Sequence, residues 1–161
     1  MKRSFFFPLF FLLLMAVSCQ NDEDTIPTVI LGTWEMVDYN DHLELDAVTA
    51  YQFNDDGTFT HSSTLRERGS DVDLGYSFLQ TGTFRTHKGV IMVTLDETLL
   101  QPYYGEKLYY TREELERTPL ESNEEYPFNY ELRNDGSILF IPGGIVGGDG
   151  IVADRSFEKK N

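Results

Sequence analysis

Along most of this chain, apolar and polar positions alternate one by one, which is the period of a half-buried β-strand rather than of a helix. Trp34 and Met36 share one face of residues 32–37, and Thr49, Tyr51 and Phe53 share one face of the next segment. Asn54-Asp55-Asp56-Gly57 then predicts a hairpin, because Asn and Asp tolerate turn geometry and Gly supplies the left-handed position. Residues 58–64 return around Phe59. In residues 76–86, Phe78 and Phe84 fall on one face, and Gly82 between them marks a bulge or tight bend. His87-Lys88-Gly89 turns the chain into residues 90–95, an unbroken apolar run that reads as buried on both faces. Phe128, Tyr130 and Leu132 alternate with Asn129, Glu131 and Arg133 before a second turn at Asn134-Asp135-Gly136. Residues 138–141 return, and residues 151–159 form a closing strand with Ala153, Arg155 and Phe157 on one side.

The pattern breaks in two places. Residues 96–127 form an insertion longer than a hairpin needs. Within it, Thr111 and Glu114 have capping-box spacing, so a short helix is predicted over 111–117, ended by Pro119. The Gly-rich stretch 142–150 lacks the Lys-Ser/Thr of a phosphate loop and leads into no helix, so it reads as a flexible connection. Strands joined by short turns pair antiparallel. The expected fold is therefore mainly β: an antiparallel up-and-down β-barrel of about eight strands, with one short helix in the insertion. An immunoglobulin-like sandwich is the competing fold.

The N-terminus carries a different signal. Lys2 and Arg3 precede an apolar run over residues 5–17, interrupted by Pro8. That run is shorter than the roughly 20 residues a membrane-spanning helix needs, and fits the apolar region of a secretory signal. It ends in Ala16-Val17-Ser18-Cys19, which resembles the lipobox of bacterial lipoproteins, where the cysteine is acylated and becomes the first mature residue. The expected organisation is a signal peptide over 1–18, a lipidated acidic tether over 19–29 and a single domain over 30–161. Cys19 is the only cysteine, so no intramolecular disulfide is possible and acylation removes an otherwise free thiol. Asp22-Glu23-Asp24 behind it reads either as a solvated tether or as an export tag. The second reading resembles the surface-export signal of lipoproteins from the Bacteroides group. It implies a surface-exposed outer-membrane lipoprotein, with a periplasm-facing location as the alternative.

Charge narrows the partners. The chain has 13 Lys and Arg against 27 Asp and Glu, for a net charge of −14, and removal of residues 1–18 makes it two units more negative. Such a field repels nucleic acid and anionic membrane surfaces, so attachment to a membrane is expected through the lipid on Cys19 alone. Catalysis finds little support. His42, His61 and His87 form no metal-ligand spacing, no nucleophile elbow occurs, and alternation places His61 and Ser62 on opposite faces of a strand. No cofactor or metal site is predicted, and Asp71-Val72-Asp73 reads as a solvated turn rather than a calcium loop.

Two further segments carry a resemblance. Leu31-Gly32-Thr33-Trp34-Glu35-Met36-Val37 and Tyr51-Gln52-Phe53-Asn54-Asp55-Asp56-Gly57-Thr58-Phe59 resemble the bacterial lipocalin-like lipoproteins, as do Thr81-Gly82-Thr83-Phe84 and Arg155-Ser156-Phe157. The resemblance implies a barrel whose Trp34 plugs one end, with Arg155 from the last strand packed on it as a cation–π pair. It also implies a binding protein. The Thr-Asp-Tyr motif of the classical family is absent. Tyr103, Tyr104, Tyr109 and Tyr110 in the insertion offer apolar area with a hydroxyl, and are the candidate ligand contacts near a barrel mouth. They read equally well as residues packed back on the barrel wall. The first functional reading is thus a barrel holding a small apolar molecule in an unfilled interior. The second is a display domain with a filled interior that meets a protein or glycan through an exposed aromatic patch.

Overall fold

The computed structural model describes residues 28–87, 90–120, 125–146 and 150–160. The segments predicted as signal peptide and tether, with Cys19, lie outside the described residues as far as residue 27. Five long strands form an antiparallel meander: β1 (Gly32–Asn40), β2 (Leu45–Phe53), β3 (Thr58–Glu67), β4 (Asp73–His87) and β5 (Val90–Leu100). The predicted hairpin joins β2 to β3 with Phe53 opposite Phe59. Gly57 takes φ +81°, and Asp56 Oδ1 accepts hydrogen bonds from the Thr58 amide at 2.9 Å and hydroxyl at 2.6 Å.

Among the described residues, seven short strands complete the structure. They are β6 (Glu116–Arg117), β7 (Tyr126–Phe128), β8 (Glu131–Arg133), β9 (Ile138–Ile141), β10 (Gly144–Val146), β11 (Gly150–Val152) and β12 (Arg155–Lys159). All but β10 and β11, which form a separate hairpin, belong to one sheet ordered β6-β5-β4-β3-β2-β1-β12-β9-β8, with β7 also on β5.

The closed barrel expected from the pattern does not form: this ten-stranded sheet ends at β6 and β7 on one side and at β8 on the other. The reason is a strand that changes partner. β7 pairs antiparallel with Ile91–Val93 of β5, and β8 pairs antiparallel with β9. Counting directions round the sheet, β7 and β8 run the same way. One chain path, broken at Asn129 and Tyr130, thus leaves one edge of the sheet and joins the other. Neither edge gains a full-length partner, so no continuous hydrogen-bond ladder crosses the seam.

The sheet is nonetheless rolled around a common core. Ile30, Trp34, Phe53, Phe59, Phe84, Ile91, Val93, Leu139 and Phe157 are buried together, with Phe128, Tyr130 and Leu132 packed against them from the seam. Residues 90–95 alternate after all: Ile91 and Val93 are buried, Val90 and Met92 only half so.

Three bulges shape β4 and its neighbours. The register skips Leu74, Ser77 and Asp96. A bulged residue lets the side chains flanking it change face. Tyr76 therefore points outward while Phe78 points inward, and Leu95 faces inward while Glu97 faces outward. At the third bulge Gly82 meets the neighbouring strand closely. A Cβ there would lie 2.0 Å from the Thr94 carbonyl oxygen and 2.7 Å from the Phe59 ring. Gly82→Ala is expected to destabilise the fold by about 3 kcal/mol, the upper end of overpacking penalties. A urea midpoint equal to that of the wild type would show that the strands separate here without cost.

The outward turn of Leu79 and Leu99 decides the path of the insertion. These two are buried on the outer face by Tyr110 and Leu115, with Tyr76 beside them, in a second small core. The helix predicted over 111–117 is only a 3-10 turn at Arg112–Glu114, although Glu114 does accept the Thr111 amide at 3.0 Å. Leu115 is extended because its side chain is drawn into the second core and the next two residues pair with Leu99 and Leu100. Arg112 and Arg117 both bind Glu97, clamping the segment to β5. Among the described residues no helix is long and apolar enough to cross a membrane.

Candidate ligand-binding cavity

Inside the roll, successive strands place one residue each in a single cross-strand row. Tyr51 is opposite His61, His61 opposite Gln80, and Gln80 opposite Thr98. The polar members bond to one another. Gln80 Nε2 donates to Thr98 Oγ1 at 3.2 Å, and Gln80 Oε1 lies 3.3 Å from His61 Nδ1. With the amide nitrogen committed to Thr98, Gln80 offers His61 an acceptor, so the His61 proton sits on Nδ1 and Nε2 remains an acceptor. Burial pushes the His61 pKa down to about 4, and the ring is neutral at pH 7. Burial pushes the Tyr51 pKa up to about 12, which keeps its phenol protonated.

This row borders a cavity of about 170 Å³. Phe53, Phe59, Val93, Leu95 and Phe128 supply its apolar walls, and the exposed Tyr126 and Pro127 of β7 form its outer rim. The aromatic rings are mutually braced. Tyr51 stacks on His61 at 4.1 Å and meets Phe128 and Phe157 at 5.2 Å each, and His61 meets Phe78 edge-on at 4.9 Å. The space lies beside the seam, where β7 covers only three residues of β5. A cavity of about 150 Å³ lined by apolar groups holds one benzene-sized molecule, so this space suits a single ring or a short branched chain.

Sequence reasoning placed other residues at the site. Tyr110 is buried in the second core on the outer face, its backbone bridged to Tyr76 at 2.8 and 2.9 Å. Tyr109 is half-buried beside Gly75. Tyr103 and Tyr104 are 87% and 91% exposed, their rings 4.8 Å apart. None of the four lines the cavity. The insertion is drawn to the outer face because Leu79 and Leu99 need cover there.

Trp34 is fully buried, as its place in the pattern implied, and its Nε1 donates to the Ile30 carbonyl at 2.8 Å. The cation over its ring is Lys159, at 4.9 Å, and not Arg155. Lys159 is the register partner of Trp34. Arg155 lies four residues away along the strand, about 13 Å at the usual rise. It shares the inward face of β12 with Phe157, whose ring touches Tyr51. Tyr51, His61 and Gln80 were missed as site residues. Alternation puts Tyr51 and Phe53 on one face, but nothing local tells a filled interior from a hollow one.

The opposite face of the sheet carries a polar network. Arg66 forms a bidentate pair with Glu35 at 2.7 and 3.0 Å, and its Nε bonds Asp73 Oδ1 at 2.6 Å, which also accepts from Thr64. Both Glu35 and Arg66 are buried. The Arg66 guanidinium holds the Glu35 carboxyl below its ordinary value of 4.5, against the opposing effect of burial. Asp71 binds Lys160 at 2.7 Å. These bonds occupy the acids of the 71–73 turn, and among the described residues no cluster of three His, Cys, Asp or Glu side chains is arranged to hold a metal. Compared with known proteins, the chain matches no family model, no curated protein and no solved structure.

Proposed function

We propose that this chain is a lipocalin-like lipoprotein, anchored to the bacterial outer membrane through Cys19 and displayed at the cell surface, that binds a small apolar molecule inside its rolled sheet. The observation that carries the reading is the cavity of about 170 Å³ with aromatic walls and a single polar row. Binding pockets of this kind join an apolar lining to a few placed polar groups. The row suits binding rather than catalysis. His61 is neutral and committed to Gln80, Tyr51 stays protonated, and no activated nucleophile lies among the lining residues. The anchor and the address rest on the Ala16-Val17-Ser18-Cys19 lipobox and the acidic run behind it.

A second reading, a display domain that meets a protein or glycan through its exterior, is favoured by one feature. Tyr103 and Tyr104 stand exposed at the tip of the insertion, close in sequence to the exposed Leu100 and Leu108. Native mass spectrometry separates the two readings. The full-length gene is expressed in a bacterium with lipoprotein processing, and the membrane-extracted protein is measured before and after incubation with a lipid extract. The expected spectrum shows a chain beginning at an acylated Cys19, with a further small mass that disappears in the cavity-filling variant Leu95→Phe. A bare acylated chain in every sample would shift the assignment to the exterior. An unacylated chain would remove the anchor.

A further inference from the structure

One polar atom at the wall of the cavity is left without a partner. Tyr51 covers the His61 ring at 4.1 Å, Phe78 meets it edge-on at 4.9 Å, and Gln80 Oε1 lies 3.3 Å from its Nδ1. His61 Nε2 bonds to nothing among the described residues. Among those residues, however, no sealed side-chain nitrogen or oxygen lacks a partner, so this nitrogen is reached from open space. The open space that His61 borders is the cavity of about 170 Å³.

Hydrogen bonding fixes what that atom can do. The amide nitrogen of Gln80 donates to Thr98, so its oxygen receives the proton on His61 Nδ1, and Nε2 presents a lone pair. A lone pair at an apolar wall calls for a donor. The described residues that line the cavity include no Lys, Arg, Asp or Glu. A carboxylate there would lose its water without gaining a cation, and would face the lone pair of Nε2. The net charge of −14 adds to its exclusion. Phe53, Phe59 and Phe128 offer ring faces and edges, which suit an aromatic ligand better than a flexible chain. The volume limits that ligand to about the size of benzene with a small substituent.

We infer that the cavity takes a small neutral phenol, its ring among Phe53, Phe59 and Phe128 and its hydroxyl donating to His61 Nε2. The inference rests on the carrier reading above and names the class of its ligand. A ring of the same size without a donor would strip water from Nε2 and leave the nitrogen unpaired, which is the basis of selection.

The test uses the full-length membrane-extracted chain in lipid nanodiscs, with its histidine ring nitrogens isotope-labelled and with phenol, toluene and benzoate as probes. Phenol and toluene differ only in a hydroxyl for a methyl. Nuclear magnetic resonance of the free protein at pH 7 is expected to show His61 with Nδ1 protonated and Nε2 bare. Phenol should move the Nε2 resonance saturably and bind about tenfold more tightly than toluene, while benzoate leaves the resonance in place. His61→Phe keeps a ring beside Tyr51 and Phe78, and should reverse the preference in favour of toluene, read by titration calorimetry against empty nanodiscs. A protonated Nε2, toluene bound as tightly as phenol, benzoate bound more tightly than phenol, or phenol bound without moving Nε2 would each overturn the phenol inference and leave the carrier reading standing. No binding of either phenol or toluene would overturn both. Should His61→Phe fail to fold, the wild-type resonances decide the matter, since the ring nitrogen reports its own hydrogen bond.

Discussion

Trp34→Ala should lower the unfolding free energy by about 4 kcal/mol, the middle of the range for aromatic truncation in a core. Three losses combine at this one position. The indole is fully buried among Ile30, Phe53 and Phe157, so its removal leaves a large void in the main core. Its Nε1 satisfies the Ile30 carbonyl at 2.8 Å, which would be left unpaired in an apolar setting. Lys159 loses the ring beneath it, a contact worth about 0.5–1 kcal/mol. Against the roughly 5–15 kcal/mol that holds a domain of this kind together, the loss is a large share. Urea unfolding followed by circular dichroism measures it. Lys159→Gln, which removes only the cation, is expected to cost less than about 1 kcal/mol. If Trp34→Ala cost no more than Lys159→Gln, the tryptophan would be no part of the core.

The second large effect lies on the opposite face. Arg66→Leu is expected to cost about 3 kcal/mol at pH 7, because it strands a buried carboxylate. Lys160, 3.4 Å from Glu35, restores only part of the charge balance, since it is 45% exposed and already holds Asp71. The cost should shrink at pH 3. In the wild type, Arg66 holds the Glu35 pKa below its ordinary 4.5, so the contribution of the pair is full above about 4.5 and is lost as pH falls through the lowered folded value. In Arg66→Leu burial acts unopposed by the guanidinium and raises the Glu35 pKa, so protonation relieves the stranded charge as the solution is acidified. The wild type and the variant should therefore converge in acid. His61 acts alike in both. Its pKa is depressed to about 4 in the folded state, so each protein loses stability as pH falls from 6.5 towards 4, and the difference between them is unaffected. Urea midpoints at pH 7 and pH 3 decide the point. A gap that widened in acid would mean that Glu35 is not the group Arg66 serves.

Both effects depend on facts of different legibility. The burial of Trp34 follows from its place in the first alternating segment, and the partners that brace it do not. Arg155 and Lys159 stand on the same face of the last strand, and only the register Trp34↔Lys159 selects one of them for the ring. The same holds for Glu35. Alternation assigns it to the outer face as a solvated acid, yet the return of β3 brings Arg66 against it across 31 residues. For the cavity, the faces of Tyr51, Phe53 and Phe59 were readable and the empty space between them was not. A void is a property of how opposed walls fit, and no single strand carries that fit.

Short-range chemistry controls the features that local residues announce. Period-two alternation set the β class, and Asn54-Asp55-Asp56-Gly57 set a hairpin with its register. Asn134-Asp135-Gly136 set the second turn, where all three residues take positive φ. The half-buried Phe128, Tyr130 and Leu132 kept their common face even where the strand breaks in two. Features that require two distant segments to meet arise only in the folded chain. The open seam comes from one path shared between β5 and β9. The predicted helix gave way because Leu115 gains more by burial beside Leu79 and Leu99 than a short exposed helix gains from its own hydrogen bonds. Tyr109 and Tyr110 pack on the outer wall, and Tyr103 and Tyr104 stay exposed, because bulges at Ser77 and Asp96 reset which residues need cover. Local pattern fixes the period and the turns; bulges, register and burial between strands far apart in sequence choose the faces, and with them the cavity.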